Sequence, residues 1–138
     1  MRYVLDSNIF SGLVRRVKRI TKHYDELLHE NAEFVICPLV YYEVRRGLEK
    51  INATQELAFL ERTLLALEWA DFTQDDWRVA AMVWAKIAPT GITIADPDLL
   101  IGVFAARRGA IVVTHNLRHF QPLTLHLPLT IEDWLINS

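Results

Sequence analysis

Acidic residues stand at three separate points of this 138-residue chain, each beside an apolar segment. Asp6 follows a short apolar run near the N-terminus, and Glu43 lies within an amphipathic segment. Asp96 and Asp98 open a long apolar segment. Carboxylates brought within about 4 Å repel by ~4 kcal/mol per pair at an effective dielectric of 20, and a cation between them removes that repulsion. Because oxygen ligands favour hard Mg²⁺ or Mn²⁺, these acids predict a divalent metal site if the fold brings them together.

A hard cation at a carboxylate cluster supports the hydrolysis of phosphodiesters. It polarises a phosphoryl oxygen, lowers the pKa of a bound water and stabilises the leaving oxygen. The sequence has no Gly-x-Ser-x-Gly elbow, no P-loop, no Gly-x-Gly-x-x-Gly turn after the first strand and no Cys/His spacing of a zinc site. Its single cysteine, Cys37, lies in an apolar run, and we interpret it as a core residue. The residues therefore favour a metal-dependent nuclease over these other chemistries.

Each acid also has a purely structural explanation. Asp6 is placed to cap the helix that follows it, a common role for Asp at a strand-to-helix turn. Glu43 precedes Arg46 by three residues, a spacing that suits a surface ion pair on one helix face. Asp98 would be stabilised by the exposed amides of a helix N-terminus. Only convergence of the acids at one place separates the functional interpretation from the structural one.

Polar residues directly follow two predicted strands. The first strand is followed by Asp6-Ser7-Asn8, and a later apolar run is followed by the segment 114–119. In parallel sheets, ligand-binding residues gather at the carboxyl ends of the strands. We therefore expect both segments to meet on one rim, joined by Asp98 and, from its helix, by Glu43.

Short runs rich in β-branched and aromatic residues alternate with longer segments of helical period. We predict strands at 3–5, 34–37, 68–72, 111–114 and 124–127. We predict helices at 9–17, 20–30, 39–51, 54–67, 74–87, 97–108 and 131–136, with the helix 97–108 buried. This alternation implies right-handed crossovers and an α/β fold whose central, mainly parallel sheet is covered on both faces.

Two capping boxes and one apolar stripe are also expected. Thr73 with Asp76, and Thr130 with Asp133, have the spacing in which a hydroxyl and an acid satisfy first-turn amides. The stripe of the helix 74–87 consists of Trp77, Ala80, Ala81, Trp84 and Ile87. We interpret this stripe, with its two tryptophans, as core packing against the sheet.

Composition places the chain in the globular range, with 51% hydrophobic and 23% charged residues, and we expect one domain over residues 1–138. The longest apolar run has eight residues, too few to cross a membrane, so we expect a cytoplasmic protein without membrane contact. The net charge of -2 gives no global attraction for nucleic acid. Residues 2–22 nevertheless carry six basic side chains against one acid, which either contact phosphates near Asp6 or form a solvated helix face.

Four motifs, in order, resemble those of the PIN-domain ribonucleases and most closely those of the VapC toxins of toxin-antitoxin pairs. The motifs are Leu5-Asp6-Ser7-Asn8-Ile9, Glu43 with Arg45-Arg46-Gly47-Leu48, Ile94 before Asp98-Leu99-Leu100-Ile101, and Thr114-His115-Asn116-Leu117-Arg118-His119-Phe120. Each motif is weak alone. Their order and intervals over nearly the whole chain carry the resemblance.

The resemblance implies a three-layer α/β/α PIN fold and a Mg²⁺- or Mn²⁺-dependent endoribonuclease that acts on RNA. Asp6, Glu43 and Asp98 match the principal metal-site acids of the family. Asp96 is expected as an additional ligand or as a group that orients one.

The last motif departs from the family, which often carries a further acid there. This chain offers Asn116 and His119 instead. Asn116 can hydrogen-bond a metal-bound water, so we include it among the catalytic residues. The side chains expected to orient the acids or to contact the substrate or a partner are Ser7, Asn8, Arg46, Thr114 and His119.

The resemblance further implies a homodimer and a small VapB-like antitoxin whose C-terminal segment covers the active-site groove. Two alternatives stay open. The first is a PIN-like module that binds RNA or protein without turnover, which the missing fourth acid suggests. The second is a PIN nuclease that serves RNA processing rather than growth arrest. The motifs do not identify the target RNA.

Overall fold

A parallel sheet forms the centre of the computed structural model, which describes residues 1–136. Its strands are β1 (Arg2–Leu5), β2 (Glu33–Ile36), β3 (Glu68–Trp69), β4 (Ala110–Val113) and β5 (Ile131–Glu132). They follow the spatial order β3-β2-β1-β4-β5, and each neighbouring pair is parallel. The predicted α/β class with a central parallel sheet is confirmed.

Helices connect the strands and flank the sheet. The α-helices are α1 (Ser7–Val14), α2 (Lys18–His29), α3 (Pro38–Lys50), α4 (Thr54–Leu64), α5 (Gln74–Ile87), α6 (Asp96–Arg107) and α7 (Leu117–Phe120). Short 3₁₀ helices cover Ala88–Thr90 and Gln121–Leu125. The expected bounds of α5 are confirmed to the residue, whereas α1 and α4 each end three residues earlier than predicted.

The central strands form because their runs of β-branched residues are buried on both faces of the sheet. Val4, Val112 and Val113 are completely buried, as expected for strands covered by helices on both sides. Leu5 of β1 is in register with Val113 of β4, so the carboxyl ends of these two strands lie side by side. The residues that follow them, Asp6 and Thr114, are thereby brought together.

Helix α6 is buried over most of its length, as its apolar sequence predicts. Leu99 and residues 101–105 are all buried, and Asp98 lies in the first turn. Among residues 1–136, no helix combines the length and the apolar character that a membrane crossing requires. The burial of α6 against β4 and α5 fixes the position of its first turn.

The C-terminal region differs from the prediction. The segment 124–127 is not a strand, and 131–136 does not begin as a helix, because residues 131–132 form the edge strand β5. The backbone N–H of Val112 donates to the carbonyl of Thr130, and that of Thr114 donates to the carbonyl of Glu132. The edge of β4 therefore pairs with residues 131–132, a segment too short for alternating apolar and polar residues to predict a strand. Thr130 forms no capping box, since the carboxylate of Asp133 is engaged elsewhere.

The tryptophans of α5 are not core residues, which corrects the predicted packing. Trp77 is 51% exposed and Trp84 is 53% exposed, whereas Ala80, Val83 and Ile87 are buried. The buried face therefore keeps Ala80 and Ile87 of the predicted stripe but is rotated so that Val83 replaces the two tryptophans. With residues of α6, the two indoles line an open groove of about 510 Å³.

The capping box of α5 is confirmed and forms part of a larger cluster. Asp76 Oδ2 accepts from the N–H of Thr73, and the Thr73 hydroxyl accepts from the N–H of Asp76. The Asp76 carboxylate also accepts hydrogen bonds from Arg107 at 2.7 Å and Arg108 at 2.8 Å. Burial disfavours its charge, but the bonds from Arg108, Thr73 and Arg107 outweigh burial and lower the pKa of Asp76 to about 2. The cluster ties the start of α5 to the end of α6.

Candidate active site

Asp6 occupies the carboxyl end of β1, between the sheet and the first turn of α1. Its backbone N–H donates to the carbonyl of Val113 at 2.8 Å. Its Oδ1 accepts from the N–H of Ser7, and its Oδ2 accepts from the hydroxyl of Thr114, both at 2.8 Å. The predicted cap of α1 is therefore present, and Thr114 orients the second oxygen towards the end of β4.

The environment of Asp6 disfavours its charged form. Burial is the main cause that raises the pKa of this carboxyl group, and the charge of Glu43 raises it further. The hydrogen bonds from Thr114 and Ser7, together with the charge of His119, lower it in part. Within residues 1–136, Asp6 is thus a buried acid that forms no ion pair with an arginine or lysine.

Glu43 reaches the same region from α3. The hydroxyl of Ser7 donates to Oε1 of Glu43 at 3.0 Å and so links the third acid to the residue next to Asp6. Within residues 1–136, Glu43 forms no ion pair with Arg46 or any other cation. Arg46 instead stacks over the ring of Tyr42, with its guanidinium carbon 5.0 Å from the ring centroid. The surface ion pair that would have explained the Glu43 spacing is absent.

Asp98 completes the group from the first turn of α6. Its pKa is raised by burial, then by the charge of Asp6, with a smaller contribution from Glu43. Only the exposed ring of His119 offsets these effects, with Nδ1 3.4 Å from Asp98 Oδ2. Asp6, Glu43 and Asp98 therefore occupy one region and interact electrostatically, as the parallel-sheet rule predicts.

The chemistry of these donors fits a hard divalent cation, because three carboxylates are brought together without arginine or lysine to balance them. The three side chains do not converge on a single metal position in this structure. In the part of the chain that the structure describes, no three His, Cys, Asp or Glu side chains are positioned to hold one ion jointly. Coordination would thus require side-chain rotation of acids that are already neighbours.

The structure does not bring Asp96 to the other acids. Asp96 lines the groove of Trp77 and Trp84, whereas Asp98 lines a separate cavity with His119. Two residues along an α-helix turn the side chain by about 200°, so a helix that aims Asp98 at the site aims Asp96 away. The role of additional ligand, predicted for Asp96, has no support in this geometry.

The predicted polar contacts surround the acids to different degrees. The N–H of Asn116 donates to Oγ1 of Thr114 at 2.9 Å, and the Asn116 side chain is exposed. Oδ1 of Asn8 accepts from the N–H of His115 at 3.4 Å, which joins the start of α1 to the end of β4. Thr114 therefore contacts both Asp6 and Asn116, while Asn8 supports the neighbouring loop.

The basic stretch lies away from Asp6. Helix α1 begins at Ser7 and ends at Val14, a length of about 12 Å, and five of the six basic residues follow its far end, whereas Arg2 begins β1. Arg16 stacks over the ring of Phe59, and Arg15 bonds the hydroxyl of Ser11. Phosphate contacts beside Asp6 are therefore not supplied by this stretch.

His115 and Asp133 form a second polar pair at the carboxyl ends of β4 and β5, and the sequence does not predict them as site residues. Nδ1 of His115 lies 3.0 Å from Oδ2 of Asp133, and the Asp133 side chain is almost completely buried. Asp133 follows β5, so it obeys the rule that located Asp6, but the sequence was interpreted as helical there. A strand assigned to 131–132 would have revealed the pair.

Comparison with known proteins agrees with this architecture. The PIN domain family model matches residues 3–122. The chain belongs to the PIN domain family. Among characterised relatives, it is 30% identical over 141 residues to Ribonuclease VapC2 of Rickettsia felis, with 97% of this chain and 98% of the relative covered. It is 28% identical over 136 residues to the tRNA(fMet)-specific endonuclease VapC of Salmonella typhimurium, with 97% and 98% covered.

Solved structures extend the similarity to the fold as a whole. The chain is similar to a structure of VapBC2 from Rickettsia felis bound to a DNA fragment from their promoter, with a TM-score of 0.82, 26% identity and coverage of 97% and 99% of the two chains. It is also similar to a structure of DNA-bound VapBC from Salmonella typhimurium, with a TM-score of 0.80, 26% identity and coverage of 97% and 98%. The PIN-type α/β architecture and the likeness to VapC expected from the four motifs are thus confirmed.

Proposed function

We propose that this PIN-domain protein is an endoribonuclease that hydrolyses RNA phosphodiester bonds with the help of Mg²⁺ or Mn²⁺. The observation that carries the proposal is the convergence of Asp6, Glu43 and Asp98 from β1, α3 and α6 without arginine or lysine to neutralise them. Relatives over nearly the whole chain are named ribonucleases, which supports the same activity. Cleavage of RNA is therefore the first activity to measure.

Asp6, Glu43 and Asp98 would hold the metal, which when bound polarises a phosphoryl oxygen and lowers the pKa of a water. Thr114 orients Asp6, and the hydroxyl of Ser7 orients Glu43. The exposed side-chain amide of Asn116, whose backbone N–H donates to Thr114, would position water or substrate. The protein would thereby supply acids from three packed elements, with hydrogen-bond donors around them.

The test is incubation of purified, antitoxin-free protein with total cellular RNA and Mg²⁺ or Mn²⁺. We expect discrete products that vanish with EDTA and with Asp98→Asn. Asp75→Asn, an exposed acid on α5, is the matched control and should cleave normally. Folded protein that retains RNA but gives no metal-dependent products would favour the binding module without turnover, with Asn116 in place of an acid as its cause.

We also propose that the protein is the toxin of a pair and binds a VapB-like antitoxin. The solved relatives with this fold include complexes described as VapBC, which supports a partner of that kind. Co-expression with the product of an adjacent small gene should give a stable complex that lacks RNA cleavage. Free cleavage in the presence of that product would favour a role in RNA processing.

A homodimer and a cytoplasmic location form part of the same proposal. Trp77 and Trp84 of α5 are about half exposed and line the same groove, an apolar surface that a second copy would cover. Light scattering should give twice the mass of 16.0 kDa, and Trp84→Glu should return the mass of one chain. The mass of one chain for the unaltered protein at micromolar concentration would contradict the dimer.

A further inference from the structure

A second cavity, here called the flanking cavity, lies beside the candidate active site towards β5. It has a volume of about 440 Å³, and its lining includes His115, Asn116, Arg118, His119, Asp133 and Ile136. Arg118 and His119 also line the cavity of about 320 Å³ that contains Asp98. The two cavities therefore share Arg118 and His119 as a common wall, so an RNA strand bound at the acids would lie next to the flanking cavity.

His115 is held in the flanking cavity by a nearly buried carboxylate. Its Nδ1 lies 3.0 Å from Oδ2 of Asp133, whose side chain is only 3% exposed. The other oxygen of Asp133 accepts from the backbone N–H of Leu135 at 2.8 Å. The backbone of His115 is itself bonded to Asn8. Asp133 is thus fully engaged, and the exposed imidazole is fixed in orientation.

This arrangement leaves a defined group facing the solvent. A carboxylate only accepts hydrogen bonds, so Nδ1 of His115 carries the hydrogen that lies towards Asp133. Nε2 forms no hydrogen bond within residues 1–136. It accepts a hydrogen bond when the ring is neutral and donates one when the ring is charged. A hydroxyl matches Nε2 in both forms, because it donates and accepts, whereas a phosphate oxygen matches only the charged form.

We infer that His115 is a specificity-determining residue that hydrogen-bonds a ribose 2′-hydroxyl of RNA in the flanking cavity. The 2′-hydroxyl is the group by which a protein distinguishes RNA from DNA at a given position. Arg118, which lines both cavities, contacts the adjoining phosphate, and Asp133 is a positioning residue. The inference rests on the proposed function, since it takes RNA as the substrate.

The test measures binding without turnover. In EDTA, fluorescence anisotropy compares a short labelled single-stranded RNA of mixed sequence with the DNA of the same sequence. We expect His115→Ala to weaken RNA binding by about three- to tenfold, the size of one hydrogen bond, and to leave DNA binding unchanged. His29→Ala, another exposed histidine on α2, is the matched control and should alter neither.

Several outcomes would overturn the inference. Equal losses for RNA and DNA would assign His115 to phosphate binding or to the fold, and no loss would exclude a contact. His115→Phe, which keeps a ring without nitrogen, replaces the alanine variant if thermal unfolding shows that the latter is unfolded. Nitrogen NMR of the unaltered protein should find a hydrogen on Nδ1 of His115, and a hydrogen on Nε2 alone would contradict the assigned geometry.

The two proposals fail separately. If the unaltered protein cleaves RNA with metal but His115→Ala binds RNA and DNA as before, only the inference about His115 is wrong. If the unaltered protein never cleaves RNA but His115→Ala binds RNA selectively less well, the nuclease is wrong and RNA recognition by His115 stands.

Discussion

At the two ends of helix α6, carboxylates lie in opposite electrostatic environments. At the N-terminal end, Asp98 shares its surroundings with Asp6 and Glu43, and the nearest cationic candidate is the exposed His119. Burial and the neighbouring negative charges raise the pKa of Asp98. This end of the helix therefore has an excess of negative charge.

At the C-terminal end, the same helix neutralises an acid completely. The carboxylate of Asp76 is bound by Arg107 and Arg108, and its pKa falls to about 2 despite burial. A buried acid with its own cations supports the fold, whereas buried acids without them favour a cation from solution. The contrast predicts that removing an acid at one end alters activity and that removing an acid at the other end alters stability.

The largest effect is expected for Asp6→Asn. Loss of a metal-site carboxylate should lower RNA cleavage by about 10²- to 10³-fold, because the metal supplies several kcal/mol of transition-state stabilisation. The free energy of unfolding should change by no more than about 1 kcal/mol, since the amide can retain a hydrogen bond in place of a disfavoured charge. Cleavage rates and chemical denaturation of the same samples measure both.

Metal-dependent thermal unfolding is the control for this variant. Mn²⁺ at about 100 times its dissociation constant should stabilise the unaltered protein by about 2.7 kcal/mol. Asp6→Asn should lose most of this stabilisation. An unfolded Asp6→Asn protein, or equal metal stabilisation of both proteins, would show that Asp6 is only the cap of α1.

The opposite result is expected for Asp76→Asn. It should lower the free energy of unfolding by about 2 kcal/mol at pH 7, because a carboxyl group whose pKa is lowered to about 2 stabilises the folded state when ionised. The melting temperature should fall by roughly 5–10 °C, and cleavage by the folded fraction should stay normal. If Asp76→Asn were fully folded but did not cleave RNA, the proposed contrast between an end of α6 that supports activity and an end that supports stability would be wrong.

The stabilisation from Asp76 should depend on pH in one direction. It is fully present above the ordinary carboxyl pKa of 3.8 and is lost as the pH falls through about 2, where the folded protein takes up the proton. The difference in stability between the unaltered protein and Asp76→Asn should therefore narrow between these two values. A difference that stays constant down to pH 2 would assign the effect to shape rather than charge.

A smaller effect on activity is expected for Ser7→Ala. The hydroxyl of Ser7 orients Glu43, and loss of a group that orients a metal ligand typically lowers activity or metal affinity by about 10- to 100-fold. We expect about tenfold in cleavage, with part of it recovered at higher Mn²⁺. Ser11→Ala, one turn further along α1, is the matched control. Equal rates for both variants would show that Glu43 needs no such support.

The sequence predicts most of the geometry that brings the acids together. The strands that precede Asp6 and Thr114 are uninterrupted apolar runs, and the parallel-sheet rule then locates their carboxyl ends side by side. Helix α6 is equally evident, because its apolar residues surround it. The apolar patterns of the strands and of α6, together with the rule for the carboxyl ends of parallel strands, are therefore enough to predict that Asp6 and Asp98 lie near each other.

Features decided by tertiary contacts were not predictable in this way. Strand β5 has two residues and forms because the edge of β4 offers unpaired backbone groups. A two-residue strand has no recognisable apolar pattern, so the sequence does not predict that Asp133 lies at the end of a strand. The rotation of α5 about its own axis is also not predictable from the sequence, because small and apolar residues lie on both of the faces that could pack inward. Packing against α6 buries Val83 and leaves Trp77 and Trp84 half exposed.

The smallest effect on cleavage is expected for Asp96→Asn, the residue for which the motif and the structure predict different roles. The motif alone makes Asp96 an additional ligand, whereas the helix turns it into the groove of Trp77 and Trp84, away from Asp98. We therefore expect cleavage within about twofold of the unaltered protein, since exposed substitutions away from special contacts change little. Asp98→Asn, two residues further along the same turn, should lower cleavage about as strongly as Asp6→Asn does, by about 10²- to 10³-fold. A large loss for Asp96→Asn with normal folding would contradict this assignment and would support Asp96 as an additional ligand or as a group that orients one.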